Sequence, residues 1–167
     1  MNKNILSAMA QKITPYQWAK NVGPEILRFD TNTLPSPPPC VNEFLQLLIN
    51  NCLINEYGDP SYAKLKNLIS KYEDTPEKTI MITNSGDEAL DIIGKAFLND
   101  GDYFLTQPPT YEIFKSQCVI NGGKAIEVPL LKKTFKSDIK NVIKVLKNLP
   151  IKIIFVCNPN NPTGTIT

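Results

Sequence analysis

The run Asn158-Pro159-Asn160-Asn161-Pro162-Thr163-Gly164 sets amide side chains on a stiff, turning backbone. Prolines at 159 and 162 fix φ and push Asn158 and Asn161 toward extended backbone. Gly164 permits a turn or a close approach. Asparagines held this way suit a planar polar ligand, because each can donate and accept. Asn-Pro and Pro-Thr-Gly are also ordinary turn sequences. The whole string is less ordinary. At roughly 5% usage per residue type, six fixed positions recur by chance about once in 10⁷ to 10⁸ starts.

Two further stretches could carry chemistry. In Thr83-Asn84-Ser85-Gly86-Asp87-Glu88 a strand is expected to end and a helix to begin near Asp87. First-turn helix amides have no intrahelical partner, and the helix dipole favours an anion there, so this is a phosphate cradle without arginine. The plainer reading is a capped helix start, with Ser85 as cap and Glu88 three residues on. In Gln107-Pro108-Pro109-Thr110-Tyr111, Tyr111 could lie flat against an aromatic ligand. Its plainer reading is a core tyrosine after a proline-terminated strand.

The elements that must position these residues follow from periodicity. Residues 1–40 read as a proline-rich arm, with a helical candidate at Asn4–Lys12 and a short strand at Arg28–Asp30. Val41–Leu53 has helical spacing, with Val41, Phe44, Leu45, Leu48, Ile49 and Cys52 on one face. A second helix is predicted with Asp59 as N-cap and Pro60 at its first position. Its apolar stripe is Tyr62, Leu65, Leu68, Ile69 and Tyr72.

A βα alternation comes next. Strands are expected at Thr79–Thr83, Tyr103–Thr106, Lys124–Pro129 and Ile151–Cys157. Helices are expected at Asp87–Leu98 (Leu90, Ile93, Ala96 and Phe97 inward), Tyr111–Asn121 and Asp138–Leu149. The pattern predicts an α/β fold with a mostly parallel sheet flanked by helices. In such a sheet the carboxyl ends of the strands share one edge, where ligands bind. Ser85–Asp87, Tyr111 and Asn161 are all expected there. A cradle for phosphate, an aromatic platform and a polar asparagine fit a phosphorylated, flat heteroaromatic ligand.

Composition narrows the alternatives. The 167 residues are 42% hydrophobic and 20% charged, enough for one domain with a core. A net charge of +2 points to neither nucleic acid nor a membrane surface as partner. No apolar run reaches membrane-spanning length. Arg28 is the only arginine, so this stretch holds no multi-arginine anion clamp. There is no histidine, which removes Ser-His and Cys-His nucleophile schemes from this stretch. The four cysteines form no C-x-x-C pair; no metal site is expected, and reduced cysteines suit a cytoplasmic protein.

The terminal loop resembles the N-P-x-N-P-T-G loop of the fold-type I aminotransferases, which use pyridoxal 5'-phosphate (PLP). Further matches make the chain similar to the histidinol-phosphate aminotransferase family along almost its whole length. They are Thr14-Pro15-Tyr16-Gln17, Tyr57-x-Asp59-Pro60, Gly86-Asp87-Glu88 and Pro109-Thr110-Tyr111. The resemblance implies a PLP-dependent transferase fold, with 1–55 as N-terminal arm and small-domain segment and 56–167 as the first half of the large domain. It implies that Gly86 and Asp87, with Ser85 beside them, present amides to the PLP phosphate. Tyr111 would stack on the pyridine ring, and Asn161 would hydrogen-bond its phenolic oxygen. Tyr57 would reach the cofactor of a partner subunit, making a homodimer. Tyr16 and Asn32 would stand on the substrate side. The implied reaction transfers an amino group between small amino-acid and keto or phosphorylated carbonyl substrates, as in histidine biosynthesis.

The sequence departs from the family pattern at three places. The usual N-x-N-E-N-P segment is Asp30-Thr31-Asn32-Thr33-Leu34-Pro35, and the usual Arg-Tyr-Pro is Glu56-Tyr57-Gly58. The small pair before Asp-Glu, glycine first in the family, is Ser85-Gly86. None of the 17 lysines has the context of the family's Schiff-base lysine, which is expected beyond Thr167. No catalytic residue is therefore expected in this stretch. The chain reads as the N-terminal part of a longer enzyme, inactive by itself. Two alternatives stay open: a PLP decarboxylase resembling threonine-phosphate decarboxylase, and a non-catalytic remnant that binds PLP or a partner.

Overall fold

The computed structural model of the protein describes residues 5–13, 23, 25–27, 34–51 and 55–166. The chain packs as two units: Tyr16–Ile82, and Thr83–Thr167 together with Met1–Pro15. This division lies at Ile82/Thr83. The assignment of 1–55 and 56–167 to domains of a longer protein is a separate matter and stays an expectation.

In the 16–82 unit, α1 spans Val41–Asn51 and α2 spans Ala63–Glu73. The α2 start differs from the expectation. Asp59 accepts from the Ser61 amide (2.9 Å) and hydroxyl (2.6 Å), a local turn that satisfies its carboxylate before any helix begins. The Ser61 hydroxyl holds the Asp59 carboxyl below its usual range. Tyr62 then takes a left-handed conformation (φ 51°), and helical geometry begins only at Ala63. After α2, Asp74 is left-handed (φ 48°), and the chain folds back into a 3₁₀ turn at Glu77–Thr79. Asn67 Nδ2 donates to Glu77 Oε1 (2.6 Å) across that reversal.

The strand expected at Thr79–Thr83 does not form. Thr79 closes the 3₁₀ turn, and the segment after it joins no ladder among the described residues. The Asn4–Lys12 helix reduces, among the described residues, to a 3₁₀ turn at Ala10–Lys12. The expected strand at Arg28–Asp30 lies outside the described residues.

The larger unit is a three-stranded parallel sheet of β1 (Tyr103–Thr106), β2 (Lys124–Glu127) and β3 (Ile151–Ile154), in the order β2-β1-β3. Its helices are α3 (Ser85–Phe97), α4 (Glu112–Ile120) and α5 (Ile139–Asn148). The central strand is buried on both faces, which explains why Phe-Leu-Thr shows no polar alternation. Successive side chains point to opposite faces. Phe104 meets Leu98, Phe114 and Cys118, with Leu90 of α3 packed alongside. Leu105 meets Val128 and Val142 of α5. Helices thus cover both faces. Phe114 lies edge-on to Phe104 (5.8 Å, 89°) and stacks on Phe155 (4.1 Å, 14°).

Two helix faces differ from the expectation. On α3 the inward face is Leu90, Ile93 and the buried Gly94, whereas Ala96 and Phe97 point to solvent. Gly94 permits the close approach of Asn121, whose Nδ2 donates to Asp91 Oδ1 (3.1 Å). Lys95 and Asn121 together hold the Asp91 carboxyl below its usual range. On α5 only Val142 is buried; Ile139, Ile143 and Leu146 are exposed. Asp138 caps α5 by accepting from the Asn141 amide (3.1 Å).

The amino-terminal edge of the sheet is stitched by turns. Gly101 N donates to Gly122 O (2.9 Å) and Lys124 N to Asp102 O (2.7 Å). Gly101 and Gly122 have φ of 85° and 88°, which a side chain rarely adopts. The β1–β3 register shifts between Tyr103 and Phe104, leaving Lys152 as the extra residue. Lys152 Nζ donates to Asp102 and holds that carboxyl below its usual range.

Candidate functional site

The opposite edge carries an open cleft of about 620 Å³, lined by Ser85, Gly86, Asp87, Ala89, Leu90, Tyr111 and Phe155. Its floor is continuous with the core, since Phe155 both lines the cleft and stacks on Phe114.

One wall is the start of α3. Asn84, not Ser85, is the N-cap residue, and Ser85 is the first helical residue with φ 78°. The capping box is only half formed: the Glu88 carboxylate accepts the Asn84 amide, while Thr83 Oγ1 donates to Ser85 O (2.8 Å). Ser85 is displaced from the cap because Thr83 O already accepts its amide (3.0 Å), which pulls the chain into a tight turn. By helix geometry the amides after it lack an intrahelical acceptor. Gly86 has open space where a Cβ would stand, so a ligand atom could approach the backbone there.

The second wall is Tyr111, N-cap residue of α4. Its hydroxyl donates to Asp87 Oδ1 (2.8 Å), joining the starts of α3 and α4 across 24 residues of sequence. The 107–111 loop reaches this place because Val128 N and Leu130 N continue the β1–β2 pairing to Thr106 O (3.0 Å) and Pro108 O (2.8 Å).

The asparagine loop sorts its residues sharply. Asn160 is buried, although its neighbours 158, 159, 161 and 162 are exposed. Thr110 Oγ1 donates to Asn160 Oδ1 (2.8 Å). Asn160 Nδ2 donates to Pro109 O (3.0 Å) and Thr163 Oγ1 (2.7 Å). Asn161 donates its amide to Cys157 Sγ (3.4 Å). It does not line the cleft. The peptide bonds preceding Pro109, Pro159 and Pro162 are cis.

Ser85, Gly86, Asp87 and Tyr111 are thus brought together, and Asn161 lies on the adjoining loop. Tyr57 belongs to the other unit, where it is fully exposed and lines an open groove of about 560 Å³ with Asp59, Tyr62 and Lys64. Tyr16 and Asn32 lie outside the described residues. Sequence reasoning missed Phe155 and Asn160. Phe155 sits within an apolar run that signals burial but not a cleft. Asn160 is one asparagine of three, and spacing alone does not say which turns inward. Among the described residues no cluster of His, Cys, Asp or Glu could hold a metal ion, and no helix is long and apolar enough to cross a membrane.

The chemistry available is that of neutral donors and aromatic surface. Helix-start amides can hold an anion, and Tyr111, Leu90 and Phe155 can flank a flat apolar ring. A volume of about 620 Å³ falls within the roughly 300–1,000 Å³ usual for small-molecule sites.

Comparison with known proteins accords with that frame. The histidinol-phosphate aminotransferase of Buchnera aphidicola subsp. Melaphis rhois is 31% identical over 166 residues, 98% of this chain and 44% of that protein. That of Desulfitobacterium hafniense (strain DSM 10664 / DCB-2) is 32% identical over 148 residues, 86% of this chain and 41% of that protein. The chain therefore spans less than half the length of these curated relatives. Among solved structures, histidinol-phosphate aminotransferase from Sinorhizobium meliloti in complex with pyridoxal-5'-phosphate superposes with a TM-score of 0.69 at 22% identity, covering 77% of this chain and 34% of that one. Apo-BacF from Bacillus subtilis superposes with a TM-score of 0.76 at 24% identity, covering 97% and 44%. These two likenesses show the fold. The family model described as aminotransferase class I and II matches residues 24–167, and the chain belongs to that family.

Proposed function

We propose that this chain supplies the cofactor-binding loops of a PLP-dependent aminotransferase acting on histidinol phosphate and 2-oxoglutarate. The observation that carries the reading is the cleft that joins the α3 start, Tyr111 and Phe155 at one sheet edge. The fit to PLP is chemical. A phosphate needs donors, and the α3 start offers amides at Gly86 and Asp87 beside the Ser85 side chain. A pyridine ring needs a flat wall, and Tyr111 is anchored beside the cleft by its bond to Asp87. The phenolic oxygen needs a donor, and Asn161 stands on the adjoining loop. The relatives' names supply the substrate class.

When bound, PLP acts as an electron sink for the substrate's Cα. The residues here bind and orient; proton transfer is assigned to a lysine outside this stretch. Tyr57 is proposed to reach a partner subunit's cofactor in a homodimer, with Tyr16 and Asn32 on the substrate side. A cytoplasmic location belongs to the same proposal.

The test uses the full-length gene product. Purified protein should carry the cofactor's visible absorbance and form glutamate from histidinol phosphate and 2-oxoglutarate. Release of carbon dioxide from a phosphorylated amino acid, without glutamate formation, would assign a decarboxylase instead. Absence of any bound cofactor would overturn the reading.

A further inference from the structure

The proposed ring contacts, Tyr111 and Asn161, stand on different loops, so something must fix their separation. Asn160 is the group that joins those loops. It is 6% exposed, and both amide hydrogens and the carbonyl oxygen of its side chain are bonded. Pro109 O can only accept, which sets the amide's orientation with nitrogen toward Pro109 and oxygen toward Thr110. The backbone of the same residue closes its own loop. Asn160 N donates to Thr165 O (2.8 Å), and Gly164 N donates to Asn160 O (2.6 Å). Thr163 and Thr165 share a hydroxyl hydrogen bond (2.7 Å), and Thr165 Oγ1 donates to Phe135 O (3.0 Å). The clamp sits one residue from each ring contact: Thr110 precedes Tyr111, and Asn160 precedes Asn161.

We propose that Asn160 is a positioning residue, clamping the 107–111 loop to the 157–165 loop so that Asn161 is placed for the ring oxygen relative to Tyr111. The inference rests on the cofactor reading above. It requires that loss of the clamp weakens the contact to the phenolic oxygen more than the contact to the phosphate.

The full-length protein is titrated with PLP and with 3-deoxypyridoxal phosphate, which lacks the phenolic oxygen. Wild type should prefer PLP by about tenfold, the size of one lost charge-assisted hydrogen bond. Asn161→Ala should remove most of that preference. Asn160→Ala and Thr110→Val should bring it within about twofold, and Thr110→Ser should restore it. In the Asn161→Ala background, Asn160→Ala should leave the ratio unchanged. Equal weakening of both compounds, with the ratio retained, would overturn the clamp while leaving the cofactor reading intact. Wild-type protein that binds neither compound would overturn the cofactor reading, and the clamp with it. Should Asn160→Ala fail to fold, the Thr110→Val and Thr110→Ser pair decides alone.

Discussion

The 83–167 region and the 16–82 region carry apolar stripes of the same helical period, yet they use them differently. Leu90, Phe114 and Cys118 meet a strand, and the strand's own Phe104 fills the gap between them. Phe44, Leu45, Leu48, Leu65 and Leu68 have the same spacing on α1 and α2, and all are exposed. No residue of α2 is buried. Period specifies a helix, whereas a core needs a second layer to close over it.

The largest expected effect follows from that contrast. Phe114→Ala removes a fully buried ring in contact with two others and should cost about 3–5 kcal/mol in urea unfolding. Leu65→Ala, with only the surroundings described here, should cost less than about 0.5 kcal/mol. A Leu65→Ala cost above about 2 kcal/mol in the full-length protein would mean that a further layer lies over α2.

The cysteines divide between the two regions in the same way. Cys118 is buried and Cys40 is exposed. Burial pushes the Cys118 thiol from its ordinary 9.0 up to about 11. The folded state then holds its proton over a range where the unfolded chain has lost it. Stability is complete below pH 9 and falls as pH rises toward 11, by on the order of 2 kcal/mol. Unfolding free energies of wild type and Cys118→Ala measured across that range should fall more steeply in wild type. Iodoacetamide with mass spectrometry should label Cys40 and spare Cys118 in folded protein.

Glycines extend it to the backbone. A Cβ at Gly123 would stand 2.9 Å from Cys118 O and 3.0 Å from Phe104 Cδ1, so Gly123→Ala should cost about 1–3 kcal/mol. Gly58, in the other unit, has nothing within 4 Å. Gly58→Ala should be neutral or stabilise by about 0.4–1 kcal/mol through the unfolded chain. Equal costs at the two positions would mean that Gly58 is as closely packed as Gly123.

A further effect lies at the cleft. Ser85 has φ 78°, a conformation that costs a side-chain-bearing residue about 1–2 kcal/mol. Ser85→Gly should raise stability by about 1 kcal/mol, read as a higher thermal midpoint. A glycine at the first place of this pair would carry no such cost. This chain places the glycine one residue late, where it meets open space.

The parallel sheet was legible because the strands expected at Tyr103–Thr106, Lys124–Pro129 and Ile151–Cys157 alternate with helical stretches. Gly86, Asp87 and Tyr111 were legible as neighbours from their common place after expected strand ends, although the strand before Gly86 does not form. The α2 start was not legible. Asp59-Pro60 is a good helix-start signal, but the Asp59 carboxylate finds Ser61 first. The role of Asn160 was hidden for a related reason. Its partners Pro109 and Thr110 lie 51 and 50 residues away, and local periodicity does not see them.

The stitched turns at Gly101, Gly122 and Asp102–Lys152 lie at the strand starts, and the cleft lies beyond the strand ends. Heritable change is therefore partitioned by the sheet. Substitutions in the loops after β1 and β3 change the cleft's walls while the opposite rim keeps the strands in register. A lineage can vary one rim without renegotiating the other.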